Sequence, residues 1–287
     1  MKTIGLVFDF DDTLVPDSFS ALLRHYGLNE NHFWEVAVKE LVSQGFDPTL
    51  AYLTKFLSYI GPDKPMGLLS NAQLREFGAT LDAHFYPGLE GFFKEVKDLV
   101  HGVSQDLQVE FYIVSGGIQD LILGSSLVAK NFTGVYGCRL ADDPVSGALS
   151  AIKRCVTFTE KTRYLFEINK GIQPQDSERD PYIVNKNIPT AKRRVPFKNM
   201  IYVGDGLTDI PCFSMLKKHG GMSFGIFDPA RENSARRALT EFLHTNRVVS
   251  MHAPRYNRTD ELGSLLRAAV MTCASNIKLL ESQAESE

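Results

Sequence analysis

The feature that most constrains this chain is a short apolar run near its N-terminus that ends in carboxylates. Residues 4–8 read Ile-Gly-Leu-Val-Phe, Asp9 and Asp11 follow two residues apart, and Thr13 comes two further on. An apolar run of this length predicts a strand that is buried on both faces in a parallel sheet. Open α/β sheets bind ligands beyond the carboxyl ends of their strands, which is where these acids are expected to lie.

The spacing of the two acids also indicates a chemistry. Side chains two residues apart on a strand project to the same side. One acid can then attack a phosphorus atom while the other gives a proton to the leaving oxygen. Taken alone, the motif also fits a strand end followed by a turn, because Asp and Thr are common in turns.

A second strand-like segment ends in small residues. Residues 109–117 form a mostly apolar run that finishes in Ser115, Gly116 and Gly117, and a helix-like segment follows. A small hydroxyl and exposed backbone N–H groups at a helix N-terminus suit an anion such as phosphate. Such loops are common. This one is evidence for a phosphate site because it lies at the end of the second predicted core strand.

A lysine near the start of a later helix is the third feature. Residues 157–171 predict a helix that ends at a glycine, with Lys161 in its first turn. A cation at that place opposes the helix dipole, which favours a functional reason for its presence. An ordinary surface lysine is the alternative interpretation, and Lys153 is the competing candidate for the same role.

Residues 200–209 combine another predicted strand with two more acids. Asp205 lies between two glycines at the strand end, and Asp209 follows four residues later. Mg²⁺ takes oxygen ligands in octahedral geometry and is usually held by one or two carboxylates together with substrate phosphate. The alternative is an Asp- and Gly-rich turn that opens a helix, with Asp209 in its first turn.

These four segments, in this order along the chain, resemble the four motifs of the haloacid dehalogenase (HAD) superfamily. The resemblance covers most of the chain and implies an α/β fold: a Rossmann-like parallel sheet core flanked by helices, with an inserted helical cap. It also implies a Mg²⁺-dependent phosphatase that hydrolyses a small phosphorylated metabolite through an aspartyl-phosphate.

The resemblance implies a role for each motif residue. Asp9 would be the nucleophile, and Asp11 the general acid and then the general base. The magnesium ion would contact Asp9, the backbone carbonyl of Asp11 and Asp205, with Asp209 close by or acting through water. The residues implied to contact the phosphate, or to orient the loop around it, are Thr13, Ser115, Gly116 and Lys161.

Asp11 also bears on the reaction class within the superfamily. Dehalogenases lack an acid at that position and the transport ATPases carry a different residue there, so its presence favours a phosphatase. A phosphomutase or another phosphotransferase of the same fold is the first alternative. A binding module without chemistry is the second, although degenerate members should lose a motif acid and none is missing here.

The segment after the first strand interrupts the α/β pattern. Residues 17–83 read as several amphipathic helices, at the place where phosphatases of the phosphoserine phosphatase-like branch carry a helical cap. We therefore predict a core domain of residues 1–16 and 84–287, and a cap of residues 17–83 that closes over the site and selects the substrate. A helical subdomain without a gating role is the alternative. The polar cap residues that could contact a substrate are Arg24, His25, Glu35 and Lys39.

Composition excludes several other classes. The 287-residue chain has a formal net charge of −3 and a pI of about 6.2, so no nucleic-acid partner is expected. Its apolar runs fall far short of the ~20 residues that span a membrane, and acids interrupt the first run too early for a signal peptide. Four scattered cysteines indicate reduced thiols and a cytoplasmic location. The sequence gives no indication of oligomeric state.

Overall fold

The sheet at the centre of the fold is built outward from the first strand. The computed structural model describes residues 1–230, 236 and 239–284. The strands in this part of the chain are β1 Lys2–Phe8, β2 Leu107–Ile118, β3 Gly134–Asp142, β4 Leu149–Arg154, β5 Met200–Gly204, β6 Met222–Ile226 and β7 Ser250–His252. They form one sheet in the order β4-β3-β2-β1-β5-β6-β7. The pairs are parallel except for β3 and β4, which are antiparallel.

Strand β1 takes the central position because it is apolar on both faces. Ile4, Leu6, Val7 and Phe8 are completely buried, and the strand pairs with β2 on one side and with β5 on the other. The chain builds β2 and β3 outward on one side and then returns to the other side of β1 with β5. This reversal is the switch point at which open α/β sheets bind ligands, and the predicted fold class is confirmed.

Helices pack against this sheet and complete the α/β architecture. The α-helices of the described residues are α1 Ser18–His25, α2 Glu30–His32, α3 Lys39–Ser43, α4 Pro48–Leu57, α5 Asn71–Ala79, α6 Leu89–Val103, α7 Gln119–Leu123, α8 Ser126–Asn131, α9 Phe158–Lys170, α10 Pro174–Arg179, α11 Ile210–Lys218 and α12 Glu261–Ala284. Segments Phe33–Val38 and Leu239–Leu243 are π-helical. Single 3₁₀ turns are found at Thr80–His84, Ile183–Asn185, Thr190–Lys192, Phe197–Asn199 and Leu207–Asp209. Among the described residues, no helix combines the length and the apolar composition that crossing a membrane requires.

The segment predicted as a cap is helical from α1 to α5. Its helices begin at local signals, since Asp17 caps α1, Asp47 precedes Pro48 at the start of α4, and Ser70 forms a capping box at α5. The division into a core of residues 1–16 and 84–287 and a separate cap stays a prediction. Within that predicted core, residues 231–235, 237–238 and 285–287 lie outside the described part of the chain.

A close contact between α5 and α7 joins the helical segment to the core. A Cβ atom on Gly78 would lie 2.0 Å from the carbonyl oxygen of Leu121, and one on Gly124 would lie 2.1 Å from the carbonyl oxygen of Arg75. The two backbones therefore touch at positions where only glycine leaves enough room. Beside this contact, Arg75 Nε donates to Asp120 Oδ1 at 2.8 Å.

We expect Gly78→Ala to destabilise the protein by roughly 1–3 kcal/mol, because the added methyl group has to push two packed backbones apart. The measurement is the free energy of unfolding from urea denaturation. Gly102→Ala is the matched control, since Gly102 lies in α6 with nothing within 4 Å of its missing Cβ. This control should keep or raise stability, by up to about 1 kcal/mol, and equal effects of both changes would contradict the close contact.

Candidate active site

The residues singled out from the sequence meet at the carboxyl edge of the sheet. Asp9 follows β1 directly and Asp205 follows β5, while Ser115 and Gly116 belong to the last part of β2. Together with Asp11, they line one cleft of about 280 Å³. The expectation that the two acids of the first motif face the same space is confirmed.

The loop after β1 is shaped by a tight turn. Asp12 has φ of 52°, in the left-handed region that Asp tolerates better than most residues. The N–H of Leu14 donates to the carbonyl of Phe10 at 2.8 Å and closes the turn. Thr13 is completely buried beneath this turn, and its hydroxyl has no hydrogen-bond partner among the described residues. It is not one of the cleft-lining residues, so a direct phosphate contact from Thr13 stays a prediction.

Asp9 is a buried carboxylate with one cationic partner. Its Oδ1 accepts a hydrogen bond from the N–H of Phe10, and its Oδ2 accepts one from Lys161 Nζ, both at 2.7 Å. Burial raises the pKa of Asp9 to about 6, although the charge of Lys161 acts in the opposite direction. The group is thus ionised at neutral pH.

Lys161 lies in the first turn of α9 and is 1% exposed. Its ammonium group donates to Asp9 Oδ2 and to Asp209 Oδ1, each at 2.7 Å. Burial alone would lower the pKa of Lys161, but the charges of Asp209 and Asp9 outweigh this effect and raise it. The competing candidate, Lys153, is exposed on β4 and does not line the cleft.

Asp209 is completely buried and already fully engaged by the protein. Besides the bond from Lys161, its Oδ1 accepts the hydroxyl of Tyr202 at 2.7 Å, and its Oδ2 accepts the N–H of Gly206 at 2.9 Å. These bonds hold the carboxylate in a fixed position beneath the cleft. Sequence reasoning missed Tyr202, although a tyrosine within a buried strand is a signal that its hydroxyl needs a polar partner.

Three of the acids are close enough to share a cation. Asp9, Asp205 and Asp209 each offer a carboxylate oxygen, and these oxygens lie within 4.8 Å of one another. Burial, with the added charges of Asp9 and Asp209, raises the pKa of Asp205 well above its usual range. A carboxylate cluster of this kind is compatible with a divalent metal ion. Asp9 and Asp205 line the cleft, whereas Asp209 does not and already accepts three hydrogen bonds from the protein, so the first two acids are better placed for direct contact.

Asp11 has a different environment from Asp9. Its Oδ1 accepts the N–H of Ser18 at 2.8 Å, and it forms no ion pair with a described residue. Burial, helped by the nearby charge of Asp17, raises the pKa of Asp11 to about 8. The carboxyl group therefore keeps its proton near neutral pH, which suits a proton donor.

The structure corrects the expected placement of the second motif. Strand β2 continues through both glycines to Ile118, and the helix after it begins only at Gln119. Ser115 is a strand residue, as predicted, but three more strand residues separate it from the helix, and its Oγ accepts the N–H of Gly117 at 2.9 Å. A Cβ on Gly117 would lie 2.7 Å from Asp11 Oδ2 and 3.2 Å from Ser115 Oγ, so glycine is needed for this close approach.

The wall opposite the motif residues comes from the helical segment. Phe19, Trp34 and Tyr52 line it, together with Asp17. The hydroxyl of Tyr52 donates to the carbonyl of Gly116 at 2.7 Å, which ties this wall to the second motif. Sequence reasoning missed the three rings, because aromatic side chains in amphipathic helices are ordinarily core residues. It missed Asp17, because an aspartate before a helix is ordinarily an N-cap.

The polar residues chosen from the sequence as substrate contacts do not line the cleft. Arg24 forms an ion pair with Glu30, and Lys39 forms one with Glu35, four residues earlier in the chain. The ring of His25 packs against Tyr26 and Phe77. Residues of this kind are satisfied by their own neighbours, which a single sequence does not reveal.

Comparison with known proteins gives one clear relative. A protein of Borreliella burgdorferi described as "Uncharacterized protein" is 30% identical over 283 residues, which cover 90% of this chain and 93% of that protein. No protein-family model matches the chain.

The likenesses to solved structures are weak. The AF1437 gene product of Archaeoglobus fulgidus aligns at 13% identity with a TM-score of 0.45, over 81% of this chain and 76% of that one. An L-2-haloacid dehalogenase from Xanthobacter autotrophicus aligns at 15% identity with a TM-score of 0.39, over 93% and 99% of the two chains. Alignments of this quality carry no argument about function.

We expect Lys161→Met to destabilise the protein by roughly 3–5 kcal/mol, because it leaves two buried carboxylates without their cation. The free energy of unfolding at neutral pH is the measurement. Lys153→Met is the control, and a change within about 0.5 kcal/mol is expected for this exposed residue. The ion triad would be contradicted if the two variants were equally stable.

Proposed function

This chain belongs to one family with the Borreliella burgdorferi protein, and we propose that its site is that of a Mg²⁺-dependent phosphomonoester hydrolase of the haloacid dehalogenase type. One observation carries the proposal. Asp9 and Asp11, two residues apart, line one cleft, and only Asp9 is paired with the buried Lys161. Asp11 instead accepts the N–H of Ser18, and burial raises its pKa. This is the division of labour that a carboxylate nucleophile and a proton donor require.

The carboxylates at the ends of β1 and β5 are the groups that would hold Mg²⁺. Asp9 and Asp205 are the direct ligands in this proposal, and Asp209 acts through Lys161 and through solvent. Once bound, the ion would shield the attacking carboxylate from the negative charge of the phosphate. Oxygen donors alone fit a hard cation of this kind better than a soft one.

In the first step, Asp9 attacks the phosphorus atom and forms an aspartyl-phosphate. Asp11 gives its proton to the leaving alcohol at the same time, so that no alkoxide has to be expelled. Lys161 offsets the charge of the nucleophile and the phosphoryl group, and Ser115 and the backbone of Gly116 contact phosphoryl oxygens.

In the second step, Asp11 acts as a base and Asp9 is the leaving group. Asp11 has lost its proton to the leaving alcohol and can now accept one from water. The water attacks the aspartyl-phosphate, Asp9 leaves as a carboxylate, and inorganic phosphate is released. Both acids return to their starting protonation states, so the site completes the cycle without a further reagent.

The cleft limits the size of the substrate. Its volume of about 280 Å³ lies at or below the lower end of the range of about 300–1,000 Å³ for ligand pockets. We infer a small phosphorylated metabolite, with the helical segment acting as the cap that selects it. Transfer to an acceptor other than water would appear as a phosphorylated product when acceptor alcohols are added.

Asp9→Asn should abolish the release of phosphate from a panel of phosphomonoesters in the presence of Mg²⁺, and Asp11→Asn should lower kcat by about 10²–10⁴-fold. Both substitutions keep the side-chain volume, so circular dichroism should show an intact fold. Asp98→Asn is the control, because this exposed residue on α6 lies outside the cleft. Near-normal turnover in either site variant would contradict its role, and release unaffected by EDTA would contradict the metal.

The dependence of kcat/KM on pH should be bell-shaped at saturating Mg²⁺. Without the ion, the pKa of Asp9 is raised to about 6, and bound Mg²⁺ would lower it, so the acid limb should lie below pH 6, where Asp9 loses the proton that blocks attack. The rate should fall at alkaline pH, because Asp11, whose pKa burial raises, must keep its proton to protonate the leaving group. A profile without an alkaline limb would contradict Asp11 as the acid.

A further inference from the structure

The cleft wall that faces the motif residues is aromatic. The ring centroids of Phe19 and Trp34 are 5.7 Å apart, those of Phe19 and Tyr52 are 5.2 Å apart, and those of Trp34 and Tyr52 are 5.6 Å apart. Phe19 and Tyr52 are buried, whereas Trp34 is partly exposed. The three rings thus form one packed cluster, of which Trp34 leaves surface free to meet a ligand.

One hydroxyl fixes the indole and a carboxylate beside each other. The Nε1–H of Trp34 donates to Ser20 Oγ at 2.8 Å, and Ser20 Oγ donates in turn to Asp17 Oδ2 at 2.5 Å. The N–H of Ser20 donates to Asp17 Oδ1 at 2.9 Å. Asp17 and Trp34 are therefore held in place before any ligand arrives, which reduces the entropy lost on binding.

The charge of the lining has one sign. Five aspartates line the cleft, and none of its described lining residues is Lys, Arg or His. A neighbouring depression shares Asp17 and Trp34 and adds Arg24, Glu30 and Glu35. Arg24 is paired with Glu30, so this depression is also net negative. The cleft itself therefore offers no lining cation for a second phosphate or a carboxylate on the substrate, and the cation of the neighbouring depression, Arg24, is already paired with Glu30.

In the proposed mechanism, the metal ion and Lys161 supply three positive charges, which match the three carboxylates of Asp9, Asp205 and Asp209. The phosphate then leaves the site net negative. Asp17 forms no ion pair with a described residue, and it lines the cleft together with the partly exposed ring of Trp34. A carboxylate and an indole face together attract a cation and in particular an ammonium group, because the ring adds cation–π attraction to the charge.

We propose that the substrate is the phosphate ester of a small amino alcohol whose ammonium group lies against Trp34 and Asp17 and which carries no carboxylate. The inference rests on the phosphatase activity proposed above and specifies which alcohol is its leaving group. Water is the other reactant: the phosphorus–oxygen bond to the amino alcohol breaks, a phosphorus–oxygen bond from water forms, and the alcohol and inorganic phosphate are released. An amino acid phosphate is disfavoured, because its carboxylate would meet five aspartates and no Lys, Arg or His among the described residues that line the cleft.

The test compares esters that differ mainly in charge. Phosphocholine, phosphoethanolamine, phosphoserine and 3,3-dimethylbutyl phosphate are supplied to the full-length protein with Mg²⁺. In the last ester, an uncharged carbon replaces the quaternary nitrogen at nearly the same shape. We expect kcat/KM for the better of the two ammonium esters to exceed that of the neutral ester by about tenfold or more, with phosphoserine below both ammonium esters.

Asp17→Asn tests the assigned contact. Asparagine caps helices as well as aspartate does, so α1 should remain intact. The ratio of kcat/KM for phosphocholine to that for the neutral ester should fall about tenfold, mainly through a higher KM for phosphocholine. Asp47→Asn is the matched control, since Asp47 caps α4 in the same way but does not line the cleft. It should keep the ratio within about twofold.

The outcomes separate the two proposals. Equal kcat/KM for the ammonium and neutral esters, or a preference for phosphoserine, would overturn the amino alcohol and leave the phosphatase in place. An unchanged ratio in Asp17→Asn would overturn the assigned contact. The release of no phosphate from any of the four esters or from p-nitrophenyl phosphate would overturn the phosphatase and this inference with it.

Discussion

A buried lysine between two buried aspartates is the interaction on which the rest of the site depends. Removing three charges from water is costly, and the attraction between them compensates only when the geometry is good and the remaining polar atoms are satisfied. Both conditions are met, since Lys161 lies 2.7 Å from each partner and Tyr202 and Gly206 complete the bonds of Asp209. The triad also joins the end of β1 to the starts of α9 and α11, and so fixes the edge of the sheet.

The same triad explains why two neighbouring acids behave differently. Asp9 contacts the lysine, whereas Asp11 has Ser18 and the charge of Asp17 near it. Burial raises the pKa of both groups, but to about 6 in one case and about 8 in the other. A pair of acids whose environments separate their titrations can serve as nucleophile and proton donor at one pH. The spacing in the sequence thus brings the acids together, and their partners from distant segments decide what each can do.

The sequence predicted the features that neighbouring residues determine, and it failed for those that depend on contacts between distant segments. The apolar strands and the acids after them were predicted correctly, because a run of consecutive apolar residues and the polar residues that end it are enough to identify a buried parallel strand. Ser115 was predicted correctly as a strand residue, but the end of its strand was placed three residues too early, because two glycines ordinarily end a strand and here β2 runs through them to Ile118. The aromatic wall at Trp34 was missed, since only tertiary structure separates a ring that lines a cleft from one in a core.

The central position of β1 has a consequence for how this protein is made. Of the strands in this sheet, β1 is synthesised first, yet its neighbours in the sheet are reached only at Leu107 on one side and Met200 on the other. Until then, an apolar strand with two open edges is exposed to aggregation. Pairings this distant in sequence also form slowly. The gathering of acids at the sheet edge is therefore postponed until β5 has emerged, and their mutual repulsion arises only when most of the core is available to oppose it.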